Sequence, residues 1–180
     1  PAHYSVDDLS GKAQCKQALQ IASGFADSPA TPLIGMVCRL TAQKGFAYIL
    51  PILADLMQHN LQLTIVGTGD PYVCQQLAGL SLVHPTKFKF IHGFEPKLAH
   101  LVEAGADFFL MPSEFEPCGL NQMYSLAYGT LPIVRNVGGL SDTVIGLDQN
   151  PQAATGFVFS TPQPNALLVC IRRALLLYIE

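Results

Sequence analysis

The chain has 180 residues, of which 49% are hydrophobic and only 13% are charged, and its formal net charge is −3. Soluble domains average about 25% charged residues, so this chain is poor in the side chains that normally cover a surface. Its longest stretch without charge, 149–171, is interrupted by three prolines, which excludes the run of about 20 apolar residues that a membrane span needs. The acidic balance excludes the clustered basic footprint of a nucleic-acid partner.

Neither end of the sequence resembles a natural terminus. It starts at Pro1 without an initiator methionine or a signal sequence, and it stops at Glu180 inside a helical pattern without a C-cap residue. We therefore expect a piece of a longer chain, with part of its apolar surface covered by an absent domain. The five cysteines are scattered and form no C-x-x-C pair, which favours reduced cytosolic thiols over disulfides or a zinc site.

Apolar strand-like runs alternate with helical patterns along the chain. The predicted helices are Lys12–Ile21 (with Ser10 as its N-cap), Phe46–His59, Tyr72–Leu80, Lys97–Ala104, Gly119–Tyr128 and Ala166–Glu180. The predicted strands are Leu33–Cys38, Leu61–Val66, Phe88–His92, Asp107–Met111, Leu131–Val134 and Gly156–Phe159. Several strands are continuous apolar runs, as expected for parallel strands buried on both faces. The pattern predicts an α/β fold with a doubly wound, mostly parallel, Rossmann-like sheet, in which ligands bind at the loops that follow the strands.

The loop after the first strand carries two cations. It reads Arg39-Leu-Thr-Ala-Gln-Lys44-Gly45 and leads into a helix. A planar Arg fork and a Lys point charge at this spacing suit a diphosphate, and a solvated basic loop is the structural alternative. Because the chain has only ten Lys and Arg residues in total, two of them at the expected ligand edge favour the functional interpretation.

The next two loops are less specific. After the second strand, the glycines of Gly67-Thr-Gly69-Asp70-Pro permit a tight turn and close backbone approach, and Asp70-Pro caps and starts the next helix. The segment lacks the complete G-x-G-x-x-G pattern of dinucleotide-binding proteins. After the third strand, Phe94 is placed to stack on a nucleobase, although ordinary packing explains an aromatic residue there equally well. Neither loop by itself identifies a ligand.

The loop after the fourth strand is the most informative. It reads Pro112-Ser-Glu-Phe-Glu116-Pro-Cys-Gly-Leu120-Asn-Gln and leads into a predicted helix. Free backbone N–H groups at a helix start attract anions. Glu116 beside such a site indicates a carboxylate that accepts hydrogen bonds from sugar hydroxyls, and its alternative is a simple carboxylate at a helix N-terminus.

The loop after the fifth strand completes the predicted edge. It contains Gly138-Gly139 and adds further backbone amides there. The five histidines have no metal-ligand spacing, so we interpret them as surface or packing residues. Together, the five loops favour a nucleotide-sugar site.

Four of these stretches resemble bacterial glycogen synthases and plant starch synthases, glycosyltransferase family 5. They are residues 39–45, 67–70, 112–120 and 135–144, and the string Phe115-Glu-Pro-Cys-Gly-Leu120 is the most specific of them. Tyr124, eight positions beyond Glu116, is also similar to family 5 and differs from the second Glu of the wider sucrose-synthase-like group. The resemblance implies a GT-B enzyme of two Rossmann-like lobes. Residues 1–180 would form its C-terminal, nucleotide-sugar-binding lobe, without the N-terminal acceptor lobe and the final cross-over helix.

The resemblance further implies retaining transfer of glucose from ADP-glucose to the non-reducing end of an α-1,4-glucan. No metal or other cofactor is expected, and the enzyme would act in the cytoplasm, or in the plastid of a plant. Arg39 and Lys44 would bind the diphosphate and stabilise the leaving group, and Glu116 would orient the glucosyl hydroxyls. The other implied donor contacts are Gly67, Gly69, Phe94, Cys118, Gly119, Leu120 and Asn121. The glucan would bind through the missing lobe, so we expect the isolated chain to be inactive.

Three residues depart from the family pattern. Glu114 stands where many relatives have Arg, Asn121 replaces a common Thr whose role its amide could take, and Val137 replaces the Thr before the two glycines. These departures motivate a second hypothesis, a degenerate module that binds a nucleotide or a glycan. A third hypothesis is a GT-B transferase for another nucleotide sugar, because the loop chemistry does not distinguish adenine from uracil.

Overall fold

The computed structural model describes residues 1–179, and its centre is a sheet of six parallel strands. The strands are β1 (Leu33–Leu40), β2 (Gln62–Gly69), β3 (Phe88–His92), β4 (Phe108–Met111), β5 (Leu131–Arg135) and β6 (Phe157–Phe159). Their order in the sheet is β3-β2-β1-β4-β5-β6, and every neighbouring pair is parallel. This is the strand order of Rossmann folds, so the predicted fold class is confirmed.

Helices cover both faces of the sheet. They are α1 (Ser10–Ser23), α2 (Phe46–Ile49), α3 (Leu53–Leu56), α4 (Pro71–Val83), α5 (Pro96–Gly105), α6 (Asn121–Ala127), α7 (Gly138–Thr143) and α8 (Pro164–Ile179). Successive residues of a strand point to opposite faces: in β1, Ile34 and Met36 join the apolar cluster under α2, α3, α4 and α8. Leu33 and Val37 join the cluster under α1, α5 and α7. Burial on both faces therefore accounts for the continuous apolar strands.

Two predicted helices have a different extent in the structure. The predicted helix Phe46–His59 is broken into α2, a 3₁₀ turn over Leu50–Ile52 and α3, because Pro51 has no N–H for the helical ladder. The helix predicted from Gly119 begins only at Asn121, because Gly119 has a φ of +68°, which is incompatible with a helix. The short helix α7 was not predicted.

The ends of the chain bring one correction and one open prediction. Ser10 is not an N-cap: it is the first residue of α1, and its N–H donates to Asp8 Oδ1 at 2.9 Å. The predicted last helix is confirmed as α8 up to Ile179, and Glu180 lies outside the described residues.

The structure shows where the abundant hydrophobic residues and the cysteines lie. None of the helices in residues 1–179 is both long and apolar enough to cross a bilayer. All five cysteines are free thiols in the structure. The high hydrophobic fraction is used in the two clusters that flank the sheet.

Candidate functional site

A cleft of about 290 Å³ opens at the carboxyl ends of β1 and β4. The strand order reverses between these two neighbours, and ligands of such sheets bind at this position. Eight of the ten predicted site residues line the cleft, namely Arg39, Lys44, Gly67, Phe94, Glu116, Gly119, Leu120 and Asn121. Gly69 and Cys118 do not line it. Residues that are up to 82 positions apart in sequence are thus brought together by the parallel sheet.

The two predicted phosphate ligands reach the cleft from different local structures. Arg39 lies within β1 rather than after it, and its exposed side chain pairs with no carboxylate among residues 1–179. Lys44 ends the 3₁₀ turn Ala42–Lys44, and Gly45 follows with a φ of +80°. A Cβ at Gly45 would come 2.0 Å from the carbonyl oxygen of Pro112. Glycine is therefore required there, and this close approach brings Lys44 against the loop that follows β4.

Lys44 and Glu116 form an ion pair inside the cleft. Lys44 Nζ lies 2.5 Å from Glu116 Oε2, and Ser113 Oγ donates to the same oxygen at 3.1 Å. The side chains of Lys44 and Glu116 are only 18% and 10% exposed. The cation predicted to bind phosphate thus neutralises the carboxylate predicted to bind sugar. Ser113 was missed by sequence reasoning because a serine in a loop carries no specific signal.

The alternative interpretation of Glu116 as a helix-terminal carboxylate is wrong. Glu116 precedes the first residue of α6 by five positions, and its side chain bonds Lys44 and Ser113 instead of the helix. A buried carboxylate needs such partners, because burial of an unpaired charge is costly.

The loop that carries Glu116 is held by Arg135, at the end of β5. Arg135 Nη1 donates to the carbonyl oxygens of Ser113 at 3.2 Å and of Glu114 at 2.7 Å, and the guanidinium lies 5.9 Å from the ring centroid of Tyr48. The Glu114 carboxylate lies 3.6 Å from the same nitrogen and does not line the cleft. Sequence reasoning recognised Arg135 only as part of a motif and did not assign it this supporting role.

One of the two amides of the Gly138-Gly139 turn is bonded within the protein. The Gly139 N–H donates to the carbonyl oxygen of Glu116 at 2.9 Å. The Gly139 amide is therefore already used to hold the Glu116 loop, and the prediction of a free donor is wrong for Gly139. The N–H of Gly138 donates no hydrogen bond within residues 1–179.

The turn before α6 retains free donors. Within the part of the chain that the structure describes, the N–H groups of Gly119 and Leu120 donate no hydrogen bond. The buried Gln122, which the sequence did not single out, supports this turn: its Nε2 donates to the carbonyl oxygens of Cys118 at 3.1 Å and Gly119 at 2.9 Å. Asn121 Nδ2 donates to the carbonyl oxygen of Val37 at 3.1 Å, so one of its two amide hydrogens is used within the protein.

The glycines after the second predicted strand belong to the strand itself. Gly67 lies within β2, and a Cβ there would come 2.1 Å from the carbonyl oxygen of Cys38. The predicted tight turn is therefore wrong for Gly67, whereas close backbone approach is confirmed, between β1 and β2. Asp70 caps α4 as predicted, because its carboxylate accepts hydrogen bonds from the N–H groups of Tyr72 at 2.8 Å and Val73 at 3.1 Å.

Phe94 and Cys38 define the mouth and the floor of the cleft. Phe94 is 68% exposed, so core packing does not explain it. Burial raises the pKa of the Cys38 thiol to about 12 although Lys44 opposes this shift, so the thiol is neutral at physiological pH. Residues 1–179 contain no group of three His, Cys, Asp or Glu side chains arranged to hold a metal ion.

The fold and the cleft place this chain in the class of Rossmann-type α/β proteins whose candidate ligand site lies at the reversal point of the sheet. The chain belongs to the family of glycosyl transferases group 1, which it matches over residues 24–179.

Within this family, the chain is similar to glycogen synthases. It is 56% identical over 182 residues to glycogen synthase from Aeromonas salmonicida, a match that covers 100% of this chain and 37% of the relative. It is 58% identical over 170 residues to glycogen synthase from Vibrio atlanticus, with 94% of this chain and 35% of the relative covered. The chain thus spans little more than a third of the length of these curated relatives.

Structural similarity leads to the same group. The catalytic domain of starch synthase IV from Arabidopsis thaliana, bound to ADP and acarbose, superposes with a TM-score of 0.91 at 30% identity. The match covers 98% of this chain and 37% of that chain. The resemblance to glycogen and starch synthases that the loop motifs indicate is confirmed.

Proposed function

We propose that the chain is the nucleotide-sugar-binding lobe of a glycogen or starch synthase. In the parent enzyme, glucose is transferred from ADP-glucose, with retention, to the non-reducing end of an α-1,4-glucan. The observation that carries this proposal is the convergence of Arg39, Lys44 and Glu116 in one cleft of about 290 Å³. That volume is close to the lower end of the range of small-ligand pockets.

Each of the three side chains has a role that fits its position. The exposed Arg39 offers a planar fork to the diphosphate, and Lys44 adds a point charge in the same cleft. Positive charge there stabilises the negative charge that develops on the departing nucleoside diphosphate. Glu116 accepts hydrogen bonds from glucosyl hydroxyls and so orients the sugar.

The remaining donor contacts surround this triad. The free N–H groups of Gly119 and Leu120 suit sugar hydroxyls and phosphate oxygens, and the exposed Phe94 offers a face to the nucleobase. The choice of adenine is supported by the ADP bound in the similar starch synthase. Gly69 and Cys118 lie outside the cleft lining, and the contact proposed for Cys118 is that of its backbone N–H.

The structure weakens the hypothesis of a degenerate module. Glu114, which would repel phosphate, is paired with Arg135 and does not line the cleft. Val137 precedes α7 and packs against an apolar cluster, so its position is compatible with a structural role. The departures at these two positions therefore leave the binding groups of the cleft in place.

The test is calorimetry with ADP on the 180-residue chain, and we expect weak binding that depends on Arg39. One charge-assisted hydrogen bond contributes about 1.5–3 kcal/mol, so Arg39→Ala should reduce ADP affinity by about 10- to 100-fold. Arg172→Ala is the matched control, because Arg172 is an exposed arginine on α8, outside the cleft lining. It should change the affinity less than about twofold.

Absence of ADP binding at millimolar ligand, with a folded chain by circular dichroism, would contradict the proposal. Competition between ADP-glucose and UDP-glucose for the ADP site tests the donor base, and tighter binding of UDP-glucose would favour another nucleotide sugar. A glucan elongation assay with labelled donor completes the test. The isolated chain should incorporate no glucose, because the acceptor is proposed to bind through the other lobe.

A further inference from the structure

We propose that Glu116 makes the cleft select a sugar nucleotide over a free nucleoside diphosphate, by holding Lys44 until sugar hydroxyls occupy the carboxylate. This inference rests on the proposed function. It goes beyond that function because Lys44 and Glu116 give up their contact with each other when they bind the ligand. Lys44 then contacts the phosphate, and Glu116 contacts the sugar hydroxyls.

The starting point is that Lys44 already has a carboxylate partner within the protein. Its ammonium lies 2.5 Å from Glu116 Oε2, and both side chains are largely buried. Arg39, in contrast, is exposed and forms no ion pair with residues 1–179. Of the two cations proposed for the diphosphate, only Arg39 is therefore available before the ligand enters.

A free diphosphate meets an unfavourable choice at Lys44. If it shares Lys44 with Glu116, the phosphate charge approaches a carboxylate in a poorly hydrated place, where repulsion is strong. If it takes Lys44 away, Glu116 is left as a largely buried charge whose remaining protein hydrogen bond is the one from Ser113, and a buried charge without its partner is costly. Either way, Glu116 weakens the binding of the diphosphate.

A sugar nucleotide removes this conflict. Its sugar hydroxyls donate hydrogen bonds to Glu116, so the carboxylate keeps polar partners while Lys44 turns to the phosphate. Ser113, which is fully buried, keeps its hydrogen bond to Oε2 and holds the carboxylate in position throughout. Occupation of the sugar position and full engagement of the phosphate position are thereby coupled, and the leaving diphosphate is held less tightly than the donor.

The direct test is Glu116→Gln, which keeps the shape of the side chain and removes the charge that holds Lys44. We expect ADP to bind about tenfold more tightly to this variant than to the wild-type chain, the size of one charge-assisted contact. ADP-glucose should gain nothing or lose affinity, because its hydroxyls lose a charged acceptor. The ratio of the dissociation constants for ADP and ADP-glucose, measured by calorimetry, should therefore fall by at least about tenfold.

Glu114→Gln is the matched control for the loss of one negative charge. Glu114 lies two positions away in the same loop, contacts Arg135 and does not line the cleft. It should change ADP affinity by less than about twofold. An equal gain in ADP affinity in both variants would mean that only the net charge matters, and it would overturn the inference.

Lys44→Met supplies the second measurement, which also covers a failure of Glu116→Gln to fold. This variant should cost ADP-glucose more affinity than ADP, because Lys44 is fully engaged only when the sugar is present. In the double variant, Glu116→Gln should no longer tighten ADP. Unchanged or weaker ADP binding in Glu116→Gln, or equal losses for both ligands in Lys44→Met, would overturn the inference while the proposed function stands. A folded wild-type chain that binds neither ligand would overturn both.

Discussion

Lysines at the two edges of the sheet differ in how completely their ammonium groups are bonded. At the amino edge, where β1 and β4 begin, Lys16 Nζ lies 2.8 Å from Asp107 Oδ2 and donates to the carbonyl oxygen of Pro29 at 2.8 Å and the hydroxyl of Tyr178 at 2.6 Å. At the carboxyl edge, Lys44 has one carboxylate partner. Arg39, beside it, has no ion-pair partner among residues 1–179.

Lys12 extends the pattern at the amino edge. Its Nζ has four acceptors within 3.1 Å, three carbonyl oxygens and the hydroxyl of Thr130, which is more than its three hydrogens can serve. Burial lowers the pKa of this lysine from 10.5 to about 8. These donors are saturated by the protein itself, so we interpret Lys12 and Lys16 as structural ties between helices and strand ends.

The proposed ligand site is therefore chosen by unused bonding capacity and not by the size of a depression. The depression lined by Lys12 and Lys16 has a volume of about 440 Å³, larger than the cleft of about 290 Å³ at the carboxyl edge. Its cations have no donor left for a ligand. The smaller cleft has Arg39 and the free amides of Gly119 and Leu120.

The largest expected effect is the loss of stability in Lys16→Met. The Lys16 and Asp107 side chains are 9% and 17% exposed, and removing one partner of a buried pair costs about 3–5 kcal/mol. We expect a loss of this size in the free energy of unfolding, measured with urea. Lys97→Met, at an exposed lysine on α5, should stay within about 0.5 kcal/mol of the wild type. A loss below about 1 kcal/mol in Lys16→Met would remove the distinction between the two edges.

The second prediction concerns the pH dependence of stability at Glu103, a buried carboxyl group on α5. Burial raises its pKa from 4.5 to about 7, so between these values the folded chain holds a proton that the unfolded chain has released. The contribution of Glu103 to stability therefore falls as the pH rises from about 4.5 through 7 and stays low above that. Glu103→Gln lacks this loss, so its stability relative to the wild type should increase between pH 5 and pH 8.

Urea unfolding of both proteins at these two pH values checks the Glu103 prediction. The exposed Glu95, at the N-cap of α5, provides the control Glu95→Gln. A stability difference between wild type and Glu103→Gln that is the same at both pH values would show that Glu103 is not held in its protonated form.

The smallest expected effect is that of Arg39→Ala on stability. The side chain is exposed and has no ion-pair partner among residues 1–179, so the free energy of unfolding should change by no more than about 0.5 kcal/mol. The same variant should bind ADP about 10- to 100-fold more weakly, as described above. A clear loss of stability would mean that Arg39 stabilises the fold, as Lys16 does, and would contradict the difference between the two residues.

The sequence alone was enough for the class of fold and for the edge that carries the site. Continuous apolar runs alternating with helical patterns are a local signal of parallel strands buried on both faces. The loops after those strands must then meet at one edge. Arg39, Lys44 and Glu116 could therefore be predicted as neighbours from their order in the chain, without knowledge of any contact.

Only the tertiary structure decided which groups are partners. The pairing of Lys44 with Glu116 joins residues 72 positions apart, and the use of the Gly139 amide by the Glu116 carbonyl is equally invisible in a local pattern. Lys12 and Lys16 are cations of the kind that could bind an anionic ligand. Their N–H donors, however, are already bonded to other groups of the protein. Periodicity encodes which face is buried, whereas the satisfaction of a charge depends on the packing of distant segments. That is the physical reason why the structure was needed to distinguish free cations from saturated ones.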